Sequence, residues 1–461
     1  MKLPTAADTI AAISTPLGEA GIGIVRLSGP AAEDIARALF RPRHPRSRFL
    51  SHHFYLGQIC ASPEEIVDEV LLAIMRGPRT YTREDMVEIH CHSGLGVLRR
   101  ILELTLARGA RLARPGEFTL RAFLSGRIDL TQAEAVLEVI QARTAAGLRV
   151  AAEHLSGRLG RNLQQQREAL LDLLARVEAS LDFPEETGEF PASALAGNLA
   201  QAMAALEALA ATYQEGRLLQ EGLLVVIAGQ PNVGKSSLLN GLLAQDRAIV
   251  TEIPGTTRDL VEESITLGGV PVRLSDTAGL RPAQDRVEEL GIQRTRERLA
   301  QANFVLYLVD GSLPLTAEAR QDLTELGERP GLAVINKIDL PQAIAAADLE
   351  QATTLPIAKI SALTGEGLGH LKQRIMDLVL EGGLNTAGEM ITQARHQQHL
   401  QQCLGYLTNA RELLHRAETA PPWELVALEL QEAIRELGEI TGQEVGDDVL
   451  DRIFSEFCLG K

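Results

Sequence analysis

The chain has 461 residues, of which 45% are apolar, and a formal charge of −16. That length exceeds what one core serves, so two or three domains are expected, and the apolar content excludes a disordered chain. Cys60, Cys91, Cys403 and Cys458 stand at wide, unpatterned spacing, which excludes a disulfide framework. No apolar run approaches the roughly 18 residues of a membrane span, and the start lacks a secretory signal. A cytoplasmic protein without membrane attachment is the expectation. Charge is segregated: residues 1–130 carry 17 Lys+Arg against 14 Asp+Glu, and the remainder holds −19. Any RNA contact therefore falls to the N-terminal third.

From residue 1 to 120 short β-rich runs, GIGIVRLSG (21–29), DEVLLAIMR (68–76) and DMVEIHCH (85–92), alternate with helical segments near 31–40 and 95–108. This is an α+β pattern. The glycines at 18, 21 and 23 precede the strand, whereas a dinucleotide fingerprint follows one. In His90-Cys91-His92 the alternation puts both histidines on one strand face and the thiol opposite, so no shared zinc site is expected. From 121 to 216 the texture is helical, with Leu163, Leu170, Leu174, Val177 and Leu181 on one face, until DFPEETGEFP (182–191) breaks it. Residues 217–380 alternate strand and helix: LLVVIA (223–228), a helix from Lys235, a hairpin at Gly268–Gly269, FVLYLVD (304–310), LAVIN (332–336) and PIAKI (356–360). That is a doubly wound α/β domain. EGGLNTAGE (381–389) reads as a return linker, and 381–461 is helical again, with Leu400, Leu404, Leu407, Leu414, Leu430, Ile434 and Leu437 on stripes. One discontinuous helical domain with the α/β domain inserted is the simplest architecture.

The chemistry concentrates in the inserted domain. GQPNVGKSS (229–237) fits GxxxxGK[ST] through Gly229, Gly234, Lys235 and Ser236, with Asn232 and Val233 inside the loop and Ser237 on the helix it opens. Such a loop turns backbone N–H groups toward a β-phosphate, while Lys235 reaches the β/γ oxygens and Ser236 ligates Mg²⁺. DTAGL (276–280) places Asp276 to hold the metal through water and Gly279 to sense the γ-phosphate, with Thr277 and Ala278 between them. In GTTRD (255–259) Thr257 is the candidate switch threonine and Thr256 its alternative. NKID (336–339) narrows the base to guanine, because Asp339 can accept from the ring N–H and exocyclic amine that adenine lacks. Asn336 and Lys337 brace the pocket, and Ser361, Ala362 and Leu363 supply backbone contacts to the base. The expectation is GTP and GDP binding with hydrolysis. Leu280 stands where many switch GTPases place a water-orienting glutamine. Glu288, Glu289 and Arg281 are nearby alternatives, unless the two glutamates simply face solvent on the helix leading to Gly291.

The segments DTIAAISTPLGEAGIGIVRLSG (8–29), RPGEFTLRAFLSGRIDLTQAEAV (114–136), LDFPEE (181–186), the nucleotide motifs and FCLGK (457–461) together resemble the MnmE (TrmE) family of tRNA-modification GTPases. The resemblance implies an α+β folate-binding-like N-terminal domain that dimerises, a discontinuous all-α helical domain and an inserted doubly wound α/β P-loop G domain. It implies a homodimer acting with an MnmG-like flavoprotein, which carries FAD, to add an aminomethyl-type group at carbon 5 of the wobble uridine of tRNA. A tetrahydrofolate derivative would carry the one-carbon unit. Its folate contacts fall on Arg26, Glu88, Arg127 (arginine where lysine is expected) and Lys461. The tail cysteine falls on Cys458, as a nucleophile or acid/base or else as a packing residue. K⁺ stands in for an arginine finger, with ligands at Asn232, Thr251, Ile253 and Thr256, leaving Mg²⁺ to Ser236 and Thr257. The water-activating glutamate falls on Glu288. The alternative is a ribosome-assembly or other regulatory GTPase switch without folate chemistry, which leaves residues 1–120 and the CLGK tail unexplained. A third reading is a folate enzyme with a regulatory G domain and no flavoprotein.

Overall fold

The computed structural model describes residues 8–45, 48–182, 192–246, 263–276, 302–327, 329–380, 388–416 and 421–461. Thr251, Ile253, Thr256, Thr257, Thr277, Ala278, Gly279 and Glu288 lie outside the described residues, as do the break at 183–191 and most of the linker at 381–389. The chain forms two compact units. One is Met1–Gln141 with Ala151–Glu207 and Gln398–Lys461; the other is Ala142–Val150 with Ala208–Gln397.

The first unit is built on a seven-stranded sheet of β1 (Ile10–Ile13), β2 (Gly23–Ser28), β3 (Phe40–Pro42), β4 (His53–Cys60), β5 (Ile66–Met75), β6 (Met86–Cys91) and β7 (Arg111–Leu112). Their order is β3-β4-β5-β6-β2-β1-β7, antiparallel except for the parallel β1–β7 pair. Helices α1 (Ala32–Leu39) and α2 (Leu95–Ala107) cover one face. Val25, Leu27, Leu72, Ile74, Val87 and Ile89 bury there against Ile35, Leu39, Leu98 and Ile101. Side chains alternate along strands, so Arg26 and Glu88, paired in register across β2 and β6, point to the other face.

The three runs read as strands are β2, β5 and β6. Four more strands escape the sequence pattern. β1 is four residues of IAAI, with no alternation to detect. β4 keeps Phe54 and Leu56 exposed on the face away from the core, so it carries apolar residues on both sides. β3 and β7 are three and two residues long.

The sheet's second face receives α3 (Glu117–Leu124), where Phe118 joins Ile10, Ala12 and Met86. The helical part of this unit continues with α4 (Leu130–Gln141), α5 (Ala145–Leu155), α6 (Arg158–Asp182) and α7 (Ala192–Ala211), then α13 (Ala394–Arg416), α14 (Trp423–Thr441) and α15 (Asp447–Ser455). Leu163, Leu170, Leu174 and Val177 of α6 are buried, joined by Leu173, and α14 packs along α6. The sequence reading found no segment of bilayer-spanning length. In fact residues 192–221 are long and apolar enough by length and composition to cross a membrane. One stripe of α7, Leu195, Leu199, Ala202, Met203, Leu206 and Leu209, is buried, at most 6% exposed. That is the pattern of a helix packed on protein, and alanine fills the rest of its circumference.

The second unit holds a six-stranded sheet of order β13-β12-β11-β8-β10-β9. Its strands are β8 (Leu223–Gly229), β9 (Glu263–Leu267), β10 (Val270–Asp276), β11 (Phe304–Asp310), β12 (Gly331–Asn336) and β13 (Ile357–Lys359). All neighbours are parallel except the β9–β10 hairpin. Helices α8 (Tyr213–Glu221), α9 (Lys235–Asp246), α10 (Ala317–Leu326), α11 (Ala346–Glu350) and α12 (Leu368–Val379) complete it. β8 and β11 are buried along both faces, as a parallel sheet flanked by helices demands. This unit is wider than 217–380, because Val150 and Met390 enter its core.

Candidate functional site

Register brings the functional strand ends of the second unit to one edge. Gly229 pairs with Leu308, Ile227 with Asp276 and Asp310 with Asn336, so β8, β10, β11 and β12 all finish there. This carboxyl edge is where doubly wound sheets bind ligands. The loop from Gly229 to Gly234 is held open by left-handed backbone at Gly229 (φ 138°), Asn232 (φ 64°) and Gly234 (φ 100°). A Cβ on Gly234 would lie 2.3 Å from Asn336 Nδ2. Lys235 Nζ donates to the carbonyls of Gly229 (2.8 Å) and Gln230 (2.7 Å), so the ammonium caps the loop from within. Ser236 opens α9 directly behind it, and Ser237 follows.

Asn336 ties this phosphate loop to the base loop. Its Nδ2 donates to Val233 O at 2.8 Å, and its Oδ1 accepts from Ala362 N–H at 2.9 Å. Asn336 is 2% exposed, so neither bond is replaced by water if lost. Ser361 Oγ donates to Asp339 Oδ1 at 2.5 Å, fixing the carboxylate's rotation while the residue stays exposed. Leu363 is 85% exposed beside it. Lys337, at φ 67°, pairs through Nζ with Asp310 Oδ2. Burial would raise the Asp310 carboxyl, but hydrogen bonds from Lys337 and Ser312 outweigh it and hold the group below the usual carboxylate range. The described residues thus set a phosphate loop and a carboxylate suited to guanine on one rigid edge.

The first unit presents a separate cluster. Arg26 Nε donates to Glu88 Oε1 at 3.0 Å, and its NH1 donates to Gly460 O at 3.1 Å. His90 Nε2 lies 3.2 Å from the other Glu88 oxygen. Ser14 Oγ also donates to Gly460 O, and Phe118 N–H donates to Lys461 O at 3.2 Å. Gly460 has φ 88°, and a Cβ there would stand 2.4 Å from Ile13 O. The tail is anchored from behind by Phe454 and Phe457, which bury against Leu120 and Leu130. Burial, and then the neighbouring Arg26, push the half-buried Lys461 ammonium below the ordinary lysine range, against the pull of Glu88 and Cys458. Cys458 is exposed. Arg127 NH1 donates to Tyr81 O and its guanidinium lies 4.9 Å over the Tyr81 ring, while Arg26 stands 5.7 Å over Phe118. The structure therefore gathers Arg26, Glu88 and Lys461, and sets Arg127 across Tyr81 from them.

Both halves match one lineage along almost the whole chain. The family model for the GTP-binding protein TrmE N-terminus matches residues 9–127, and that for the MnmE helical domain matches 130–458. The chain belongs to the MnmE family. Relatives named tRNA modification GTPase MnmE include that of Carboxydothermus hydrogenoformans, 45% identical over 465 residues, covering 98% of this chain and 99% of the relative. That of Moorella thermoacetica is 47% identical over 464 residues, again covering 98% and 99%.

Within this MnmE-family chain the sequence reading missed Tyr81, Phe118 and Asp310, and weighed His90 only as a metal ligand. Tyr81 gives no local signal; its hydroxyl meets Thr119 Oγ1 at 2.9 Å, and burial raises its phenol above the ordinary range. Asp310 was visible as the acid closing FVLYLVD, the same strand-end position as Asp276 and Asn336. His90 and His92 have separate partners, Glu88 and Asp68.

Proposed function

We propose that this chain is a potassium-stimulated GTP hydrolase of tRNA modification, working in the cytoplasm as a homodimer. With an MnmG-like flavoprotein that carries FAD, it installs an aminomethyl-type group at carbon 5 of the wobble uridine from a tetrahydrofolate one-carbon unit. Lys235 and the loop amides hold the β- and γ-phosphates, and Asp339 selects guanine. Mg²⁺, which neutralises charge building on the γ-phosphoryl, would be held by Ser236 and Thr257. K⁺ would be held by Asn232, Thr251, Ile253 and Thr256. Asn232 stands inside the phosphate loop on left-handed backbone, φ 64°. Glu288 orients the attacking water in place of the glutamine that Leu280 replaces.

The folate site suits the cluster of the first unit. Glu88 offers a carboxylate to a pterin's adjacent N–H groups, Tyr81 and Phe118 offer aromatic surface, and Arg26, Arg127 and Lys461 offer cations to the anionic tail of the ligand. The observation that carries this reading is the double bond of Arg26, to Glu88 and to Gly460 O. It joins the sheet to the segment bearing Cys458, whose exposed thiol is free for nucleophilic or acid/base chemistry.

GTP turnover measured in potassium and in sodium, beside a tetrahydrofolate titration, tests the reading. Strong slowing in sodium together with saturable folate binding is expected. Equal rates in both salts remove the cation mechanism, and absent folate binding leaves only a nucleotide switch.

A further inference from the structure

Residues 35–63 contain five arginines, three histidines and no acid, in a chain of net charge −16. Topology collects part of this run at one corner of the seven-stranded sheet. The end of β3 pairs with Gly57 in the middle of β4, and the start of β4 pairs with the end of β5. Arg43 N–H donates to Leu56 O, and His52 Nε2 meets Arg79 O at 2.9 Å. Arg43, Arg48 and Arg79 are exposed, and among the described residues none has a carboxylate within ion-pair distance. The acids bordering the corner are engaged: Glu33 holds Arg76 at 2.7 Å and reaches Arg37, and Asp85 Oδ1 accepts from Gly77 N–H.

Unpaired, exposed guanidiniums match the phosphate surface of a folded RNA better than a small anion, which needs a concave, converging site. We propose that this corner, Arg43, Arg48 and Arg79, is the surface on which the chain holds the phosphate backbone of its RNA substrate. This rests on the tRNA-modification reading above. The contacts position the RNA and carry no sequence discrimination, so they weaken with salt.

The test uses the full chain and unfractionated bacterial tRNA, with affinity followed by fluorescence anisotropy from 50 to 200 mM KCl. The triple variant R43Q/R48Q/R79Q should lose at least about tenfold in affinity at the lowest salt, and its log–log salt slope should fall by about 3, one per lost phosphate contact. GTP turnover should stay at the wild-type rate. The control R99Q/R108Q removes exposed cations from α2, on the helix-covered side of the sheet, and should bind within about twofold of wild type. A triple variant that keeps wild-type affinity and slope overturns the assignment while leaving the function intact, and so does a control that loses as much. A wild-type chain that ignores tRNA overturns both readings. Preference for anionic vesicles over tRNA makes the corner a lipid surface and overturns the RNA assignment.

Discussion

Replacing Gly460 by alanine isolates the docking of the tail. The new Cβ would meet Ile13 O at 2.4 Å and Ser14 Cα at 2.7 Å, on a backbone at φ 88°. Left-handed strain costs about 1–2 kcal/mol for a residue with a side chain. The bonds from Arg26 NH1 and Ser14 Oγ to Gly460 O dock the tail and are lost on undocking with or without the substitution, so the strain sets the change. That strain shifts the docked-to-free ratio by roughly 5- to 30-fold. Because the perturbed residues are the last of the described chain, the melting temperature should barely move. The readout is carboxypeptidase B release of Lys461 from a chain ending there, expected to accelerate by that factor, while GTP turnover is unchanged. Release at the wild-type rate would refute the derivation, since strain would then not have freed the tail.

Asn336→Ala removes both buried bonds joining the phosphate and base loops. GDP affinity should drop about 10- to 100-fold, from roughly 1–3 kcal/mol of unsatisfied groups, in a fluorescent-nucleotide titration. Asp339→Asn should move preference from guanosine toward xanthosine nucleotides, and unchanged GTP affinity would reject the base assignment. Lys461 offers a pH test. Burial holds its folded pKa below the ordinary lysine range, so its amine becomes neutral at lower pH in the folded chain than in the unfolded one. Its acylation should therefore rise earlier with pH in native protein than in urea. Between the two values the unfolded chain binds more protons, so this group's effect on stability improves as pH increases.

The nucleotide pocket was legible because each part is a local word: a glycine loop after an apolar strand, and four residues carrying a base-selective carboxylate. The Asn336 bridge was readable in role but not in partner, since Val233 stands 103 residues away. The other cluster was less legible. Arg26 and Glu88 meet only through the β2–β6 register, and Arg26 meets Gly460 across 434 positions. Resemblance named those residues, whereas spacing alone could not. The strands that escaped had the same physical cause: alanine in β1 and exposed Phe54 and Leu56 in β4 erase the period-two contrast that marks a half-buried strand.

Both borders of the seven-stranded sheet are blunted. One border strand is three residues with Arg41 at its centre, ending in a proline and followed by Arg43, and the other is two residues long. Neither offers a run of free main-chain donors and acceptors for another strand to zip onto. Copies of this unit that associate must then recognise one another through side chains, and the sheet is guarded against edge-to-edge polymerisation.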